Sequence, residues 1–423
     1  MKKFFTIMLI VLLVMGSVWT AGVKEVESKT SITLWDQYYR GLESEIMDSI
    51  VKDFEAKNPE ITIARETKTL DDLKLVLKMA LESETGPDIM QVNQGEADMG
   101  AMVRAGLLVS TNSVARDNNW KAKFSDSTLK AMGYKGDYYG IATTAEIVGF
   151  FYNKNLMEKL GFSLPKTFTE LESILEKTKR AGYTPINFGN LDGWTGIHEW
   201  SAIQHVYTTR EQIDHMMSGE KGNFWNIEEN IKAAETLQKW VRNGYFTKDF
   251  SAIGYDDSAS IFMQGNSLLF LTGNWMMGEL LENSPFEVGF FLVPAQNQSR
   301  LKAIGGPGIP FVVSKKSNNS EASIKFLDYL ASEETARKWA ENMMLPAQSI
   351  KSEDYLDAPM LFREILDAYS QADEANGMGY FIDWVTPTFY DTCSAAVQEL
   401  MALNITPKVF VQRLQDDYDS FTN

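Results

Sequence analysis

The stretch that decides the fold is Tyr138-Tyr139-Gly140-Ile141-Ala142-Thr143-Thr144-Ala145-Glu146-Ile147-Val148-Gly149-Phe150-Phe151-Tyr152-Asn153-Lys154. An aromatic-glycine turn leads into a short extended run. A small-residue stretch follows with one carboxylate, Glu146, and an apolar strand from Ile147 to Tyr152 ends at Asn153-Lys154. We read it as the chain crossing from one domain into another, with Glu146 left in the crevice between them.

The flanking sequence supplies the two domains. Upstream, Ser31–Trp35, Ile61–Ala64 and Asp88–Val92 read as strands. Between them, Leu42, Ile46, Ile50 and Phe54 mark one helix, stopped by Asn58-Pro59, and Leu73, Val76, Leu77 and Leu81 mark another. Alternating strands and helices predict an α/β domain with a largely parallel sheet. Downstream, Pro165–Glu170 opens a helix in which Thr167 is the expected N-cap and Glu170 the partner in a capping box. Tyr183–Phe188 and Ser267–Leu271 read as strands, Phe286–Pro294 as extended and Ile304–Pro310 as a Gly/Pro loop before a strand at Phe311–Val313. Thr406-Pro407 gives N-cap and N1 of a last helix.

Length and composition fit this division. The 423 residues allow two domains, and 44 % hydrophobic with 23 % charged residues is ordinary for a chain with real cores. Met1 to Gly22 reads as a secretory signal peptide. Lys2-Lys3 form its positive end, Phe4–Met15 its apolar centre, and small residues precede the expected cut. The single cysteine, Cys393, leaves no intrachain disulfide and no lipid attachment near that cut, so a periplasm is the expected location. Net charge is −17, and −19 once the two leader lysines are removed, which argues against nucleic acid or an anionic membrane as partner.

A search for chemistry finds no catalytic motif. His198, His205 and His215 have no metal-ligand spacing and read as core or surface residues. No phosphate-binding or nucleophile-elbow motif is present, and Gly305-Gly306-Pro307-Gly308 reads as a loop that lets a ligand or another domain come close. Asp36, Glu146, Asp192, Glu199, Asp256, Asp257 and Asp383 are candidate carboxylates, but nothing in their spacing singles out the facing pair a glycosidase needs.

The ordered set of features resembles the extracellular solute-binding proteins of ABC sugar importers, in the family that carries maltose and other oligosaccharides. The residues that carry the likeness are Ile32–Asp36, Gly86-Pro87-Asp88-Ile89, Ala105–Leu108, Tyr139–Ala142 through Tyr152–Lys154, Pro165-Lys166-Thr167, Phe262–Gly265 with Gly273-Asn274-Trp275, and Leu345-Pro346-Ala347. The resemblance implies an α/β, two-lobed periplasmic binding protein fold of type II-like topology, with the ligand cleft between discontinuous lobes. Residues 23–145 with 292–343 would form the N-terminal lobe, and 146–291 with 344–423 the C-terminal lobe. Crossings are expected near Ala142–Ile147, Phe290–Ala295 and Met343–Ala347.

The resemblance further implies a monomer without enzymatic activity, cofactor or metal. It would capture a carbohydrate by hinge closure and pass it to the membrane permease subunits. Carried over residue by residue, the ligand set is Asp36, Gln37, Asn93 and Gln94 after the strands; Glu146 in the crossing; Trp194, Trp200, Asn274 and Trp275 from the second lobe; Gly305 and Gly306 along the cleft; and Trp384 or Tyr390 near the C-terminus. Aromatic rings suit the C–H faces of a sugar, and polar side chains suit its hydroxyls. Two other readings stay open: the same fold binding a non-sugar such as a polyamine or a glycerol phosphate, and an exported glycoside hydrolase. The phosphate reading wants Arg or Lys at the strand ends, where almost none stands.

Overall fold

A computed structural model of the chain describes residues 29–39, 41–82, 85–296, 302–348, 350, 355–375 and 377–422. The leader expected at Met1–Gly22 lies outside the described residues. In chain order the strands are β1 (Thr30–Asp36), β2 (Ile61–Thr67), β3 (Ile89–Gln91), β4 (Gly133–Tyr134), β5 (Asp137–Tyr138), β6 (Gly140–Ile141), β7 (Ala145–Asn153), β8 (Thr184–Asn187), β9 (Ser267–Gly273), β10 (Val288–Phe291), β11 (Gly305–Pro307) and β12 (Phe311–Val313).

Two five-stranded sheets divide the molecule. The first runs β2-β1-β3-β12-β6, and the second runs β10-β7-β9-β8 with β11 paired to β7. β1 is parallel to β2 and β3, as strand–helix alternation requires, whereas β12 is antiparallel to both β3 and β6. The expected parallel sheet is therefore mixed, because β6 and β12 belong to segments on their way to or from the second lobe rather than to strand–helix–strand units.

Helices cover the sheets. Gly41–Lys57 turns Ile46, Ile50 and Phe54 inward, and they join Ile32, Leu34 and Phe311 in the core of the first lobe. In the second lobe, Trp194–Tyr207, Glu228–Arg242, Phe389–Met401 and Pro407–Thr422 enclose a larger core with Trp200, Trp225 and Trp240. Thr167 caps its helix by accepting from the Glu170 amide at 3.2 Å. The Glu170 carboxylate accepts from Lys166 N at 2.7 Å instead of Thr167 N, so the expected capping box closes one residue early.

Three segments connect the sheets and lie side by side. Ala142–Thr144 leads from β6 into β7. Leu345 accepts from Ala145 N at 2.7 Å, and Ala347 N donates to the Thr143 carbonyl at 3.1 Å, so Met343–Ala347 runs beside it. The third passage differs from the expected Phe290–Ala295. β10 and β11 both sit on β7 of the second sheet, and the chain reaches the first sheet only between Pro307 and Phe311. The expected Gly/Pro loop is thus partly strand. Glycine decides this: a Cβ on Gly305 would lie 2.4 Å from the Glu146 carbonyl, so only a residue without one lets β11 approach β7.

Candidate functional site

Glu146 is the second residue of β7 and is partly open in the crevice where the three segments meet. Gly306 of β11 stands opposite it in the ladder. Asn274 fixes the backbone on both sides of it: its Oδ1 accepts from Ile147 N at 2.8 Å and its Nδ2 donates to the Ala145 carbonyl at 3.1 Å. Among the described residues none hydrogen-bonds the Glu146 carboxylate. Burial pushes its pKa up to about 8, and the neighbouring carboxylates Glu43 and Asp383 push the same way. The group is held ready for a partner that can pair it.

Beside Glu146 stands an aromatic wall. Trp275 is half-buried after β9, and its indole N–H donates to the Tyr255 hydroxyl at 2.7 Å, which in turn lies 2.6 Å from Thr272 Oγ1. Trp194, also half-buried, packs 4.5 Å from Tyr255 and 6.3 Å from Trp275, ring centre to ring centre. His198 touches both indoles, and Phe381 continues the wall to Trp384. Fixed, partly exposed indole faces are the surfaces on which flat or C–H-rich ligands stack.

The first lobe brings Gln37, Asn93 and Gln94 to the ends of β1 and β3. Gln37 N donates to Gln91 Oε1 at 2.8 Å, which leaves the half-buried Gln37 side chain at the end of β1. Asn93 and Gln94 follow β3 and are buried. The Gln94 amide donates to the Pro307 and Gly308 carbonyls, both at 2.8 Å, so it secures the third passage. The rims of the lobes touch: a Cβ on Gly95 would lie 2.5 Å from the Trp384 carbonyl, and the Arg104 guanidinium lies 5.9 Å from the Phe421 ring centre.

Several expected ligand residues have other duties. Asp36 is fully buried, and Arg65 grips both its oxygens, Nε to Oδ2 at 2.7 Å and Nη2 to Oδ1 at 2.9 Å, while Tyr38 N donates to Oδ1. Its carboxylate is spent inside the first lobe. Trp200 is a core residue of the second lobe, 4.8 Å from Phe410 and 6.4 Å from Trp225. It stands six positions after Trp194 on one helix, so the two point to different sides. Tyr390 packs against the same core and donates its hydroxyl to the Asp192 carbonyl at 3.3 Å. Asn274, Gln94, Gly305 and Gly306 hold the backbone around Glu146. Glu146, Trp194 and Trp275 remain grouped at the crevice, Phe381 links Trp275 to Trp384, and Gln37 and Asn93 stand just after β1 and β3.

The sequence reading passed over Tyr255, Phe381 and Arg65, and read His198 as a core or surface residue. Tyr255 and Phe381 have no pattern of their own, and Arg65 lies 29 residues from its partner. No group of three or more His, Cys, Asp or Glu able to hold a metal occurs among the described residues. Surface pockets of about 620 Å³ beside Pro165 and Glu364, and about 190 Å³ beside Pro87 and Asn319, are lined by none of the crevice residues.

Known proteins share this fold. The family model described as bacterial extracellular solute-binding protein matches residues 49–354. A multiple sugar-binding protein of Streptococcus mutans is 23 % identical over 299 residues, 69 % of this chain and 69 % of that one. A chitin oligosaccharide binding protein shares the fold with a TM-score of 0.81 at 22 % identity, over 93 % of this chain and 99 % of that one. An ABC substrate-binding protein from Listeria monocytogenes, solved with cycloalternan, gives a TM-score of 0.75 at 21 % identity, over 93 % and 98 %. These neighbours share the arrangement of two α/β lobes around a cleft.

Proposed function

The chain belongs to the bacterial extracellular solute-binding proteins, and on that premise we propose that it captures a carbohydrate, a disaccharide or longer, between its lobes and delivers it to the permease of an ABC importer. The observation that carries the reading is the pairing of two half-open indoles packed edge to face, Trp275 and Trp194, with an unpaired carboxyl, Glu146, in one crevice. A sugar offers apolar C–H faces to the rings and hydroxyl donors to the carboxyl. Gln37 and Asn93 would close over it from the first lobe as the three connecting segments hinge. A hydroxyl left without partner in the closed cleft would cost about 1–3 kcal/mol, which sets the selectivity between sugars.

In this reading the protein is exported behind the Met1–Gly22 leader, works in the periplasm as a monomer and needs neither cofactor nor metal. It returns its sugar intact. Among the described residues, no helix is long and apolar enough to cross a membrane. The relatives' names support the ligand class: the S. mutans relative is a multiple sugar-binding protein, and a Pyrococcus abyssi relative, 26 % identical over 241 residues, is a maltotriose-binding protein.

The test begins with thermal unfolding of the mature protein against mono-, di- and trisaccharides. A sugar at 100-fold its dissociation constant adds about 2.7 kcal/mol of stability. For the sugar that binds, Trp275→Ala should weaken affinity by about 30-fold, the loss of one stacking anchor, and Trp275→Phe should fall between. Parent-like affinity in Trp275→Ala, measured by calorimetry, would overturn the placement of the sugar on this wall.

A further inference from the structure

We infer that Asp417, on the last helix, is a positioning residue for the ligand cleft: it holds the turn that carries Phe381 and Trp384 against the aromatic wall and against the first lobe. The inference rests on the carbohydrate reading above for its effect on affinity, and it adds a residue that acts through others.

Three hydroxyls of one short segment converge on the Asp417 carboxylate. Thr386 Oγ1 donates to Oδ1 at 2.6 Å, and Thr388 Oγ1 and Thr392 Oγ1 donate to Oδ2 at 2.8 and 2.6 Å. Hydroxyl-to-carboxylate bonds of this length are charge-assisted and stronger than those between neutral groups. Thr388 is the N-cap of the helix Phe389–Met401, where a threonine ordinarily accepts from an amide of its own helix, yet its side chain makes no cap bond. Its hydroxyl goes to Asp417 instead. The helix that bears Asp417, Pro407–Thr422, is itself fixed in the second lobe: Gln415 Oε1 accepts from Trp225 N at 2.8 Å, and the Tyr418 hydroxyl donates to the Glu220 carbonyl at 2.7 Å.

The clamped segment runs straight back to the crevice. Trp384 stands two positions before Thr386, in the turn Ile382–Trp384. Its ring centre is 4.9 Å from Phe381, which is 6.4 Å from Trp275. Asp383, in the same turn, is close enough for its charge to bear on Glu146. The Trp384 backbone also meets the first lobe. Gly95, at φ +81°, comes so near that a Cβ on it would lie 2.5 Å from the Trp384 carbonyl oxygen and 2.6 Å from the Trp384 Cβ. Gly95 follows Gln94, whose amide secures the third passage. A turn released from Asp417 would move Trp384 against Gly95 and Phe381 against Trp275, so one carboxylate in the second lobe governs a contact between the lobes.

The experiment compares the parent with Asp417→Ala, Asp417→Asn and Gln238→Ala. Gln238 is the control: its amide donates to the Leu400 and Ile405 carbonyls, both at 2.9 Å, and so ties the same two helices together at the end away from the turn. Hydrogen exchange of the ligand-free proteins, read by mass spectrometry, is expected to be about tenfold faster in Asp417→Ala both at Ile382–Thr392 and at Gly95–Gly100 of the first lobe. Asparagine can still accept from two hydroxyls and donate to the third, so Asp417→Asn should stay near the parent. Gln238→Ala should leave both segments unchanged. Faster exchange confined to the second lobe is the signature of a packing residue and would overturn the inference. Calorimetry with maltotriose, raffinose and chitotriose gives the second reading. For any of these that the parent binds, Asp417→Ala should lose about tenfold in affinity, and Gln238→Ala should lose none. Parent-like affinity in Asp417→Ala would also overturn the inference. If the parent binds none of the three, the carbohydrate reading fails, whereas the exchange at Gly95–Gly100 still decides whether Asp417 positions the turn. If Asp417→Ala does not fold, the double variant Thr388→Val/Thr392→Val removes two of the three bonds, and the same two readings apply to it.

Discussion

Replacing Arg65 with alanine is expected to lower the unfolding free energy by about 3–5 kcal/mol. Arg65 pairs with Asp36 through two hydrogen bonds, donates to the Tyr38 carbonyl at 2.7 Å, and reaches Ser44 and Asp48 on the helix Gly41–Lys57. Burial already holds the Asp36 carboxyl above its ordinary pKa although the guanidinium pulls the other way. Without Arg65 an unpaired acid would remain in the interior. The pair as a whole contributes far less than its rupture costs, so the double variant Asp36→Leu/Arg65→Met should regain most of the lost stability. Urea unfolding of the parent and the two variants checks this; equal losses in the single and double variants would sink the argument. Because Arg65 shapes the turn carrying Tyr38, whose hydroxyl lies 3.0 Å from Thr143 Oγ1 and 3.2 Å from Thr144 Oγ1 in the first crossing, the alanine variant should also bind sugar more weakly.

Glu146→Gln should do the opposite to stability, gaining up to about 3 kcal/mol at pH 7 in the ligand-free protein. The carboxyl has a pKa of about 8 in the folded chain against an ordinary 4.5. The folded state therefore binds more protons than the unfolded state between those values, and stability falls as pH rises through that window. The penalty is absent near pH 4.5, grows to its full size near pH 8, and is an upper bound because part of the side chain stays open to solvent. Glutamine removes it. Urea unfolding at pH 5, 6, 7 and 8 should show the parent losing ground to the variant as pH rises; parallel curves would refute the raised pKa.

Sugar binding adds a second expectation at the same residue. Hydroxyls that donate to Glu146 favour its ionised form, so its pKa drops in the complex and binding releases a proton. Affinity of the parent should then rise with pH up to about 8 and level off, whereas Glu146→Gln should show a flat profile. Calorimetry in two buffers of different ionisation enthalpy reads the released proton directly.

The sequence by itself determined the two-lobed α/β plan, because hydrophobic periodicity, caps and glycine punctuation are local signals. The crossing around Glu146, the strand positions and the Thr167 cap all follow from residues within a few positions of one another. The half-buried Trp275 after Gly273-Asn274 was also legible, since the family likeness quotes that run. What only the tertiary structure decided is how each polar side chain is spent. Asp36 and Asn274 read as ligand contacts, yet one is consumed by Arg65, 29 residues away, and the other by the β7 backbone, 127 and 129 residues away. Trp194 and Trp200 read alike in sequence but stand on different sides of one helix. The register of β11 against β7 decided where the third passage falls. His198 read as a core or surface residue, and its packing against Trp194, Trp275 and Phe381 decided for the buried one of the two. A side chain's chemistry is fixed by its type, but its availability depends on whether a distant segment satisfies it, and that is settled only when the chain is packed.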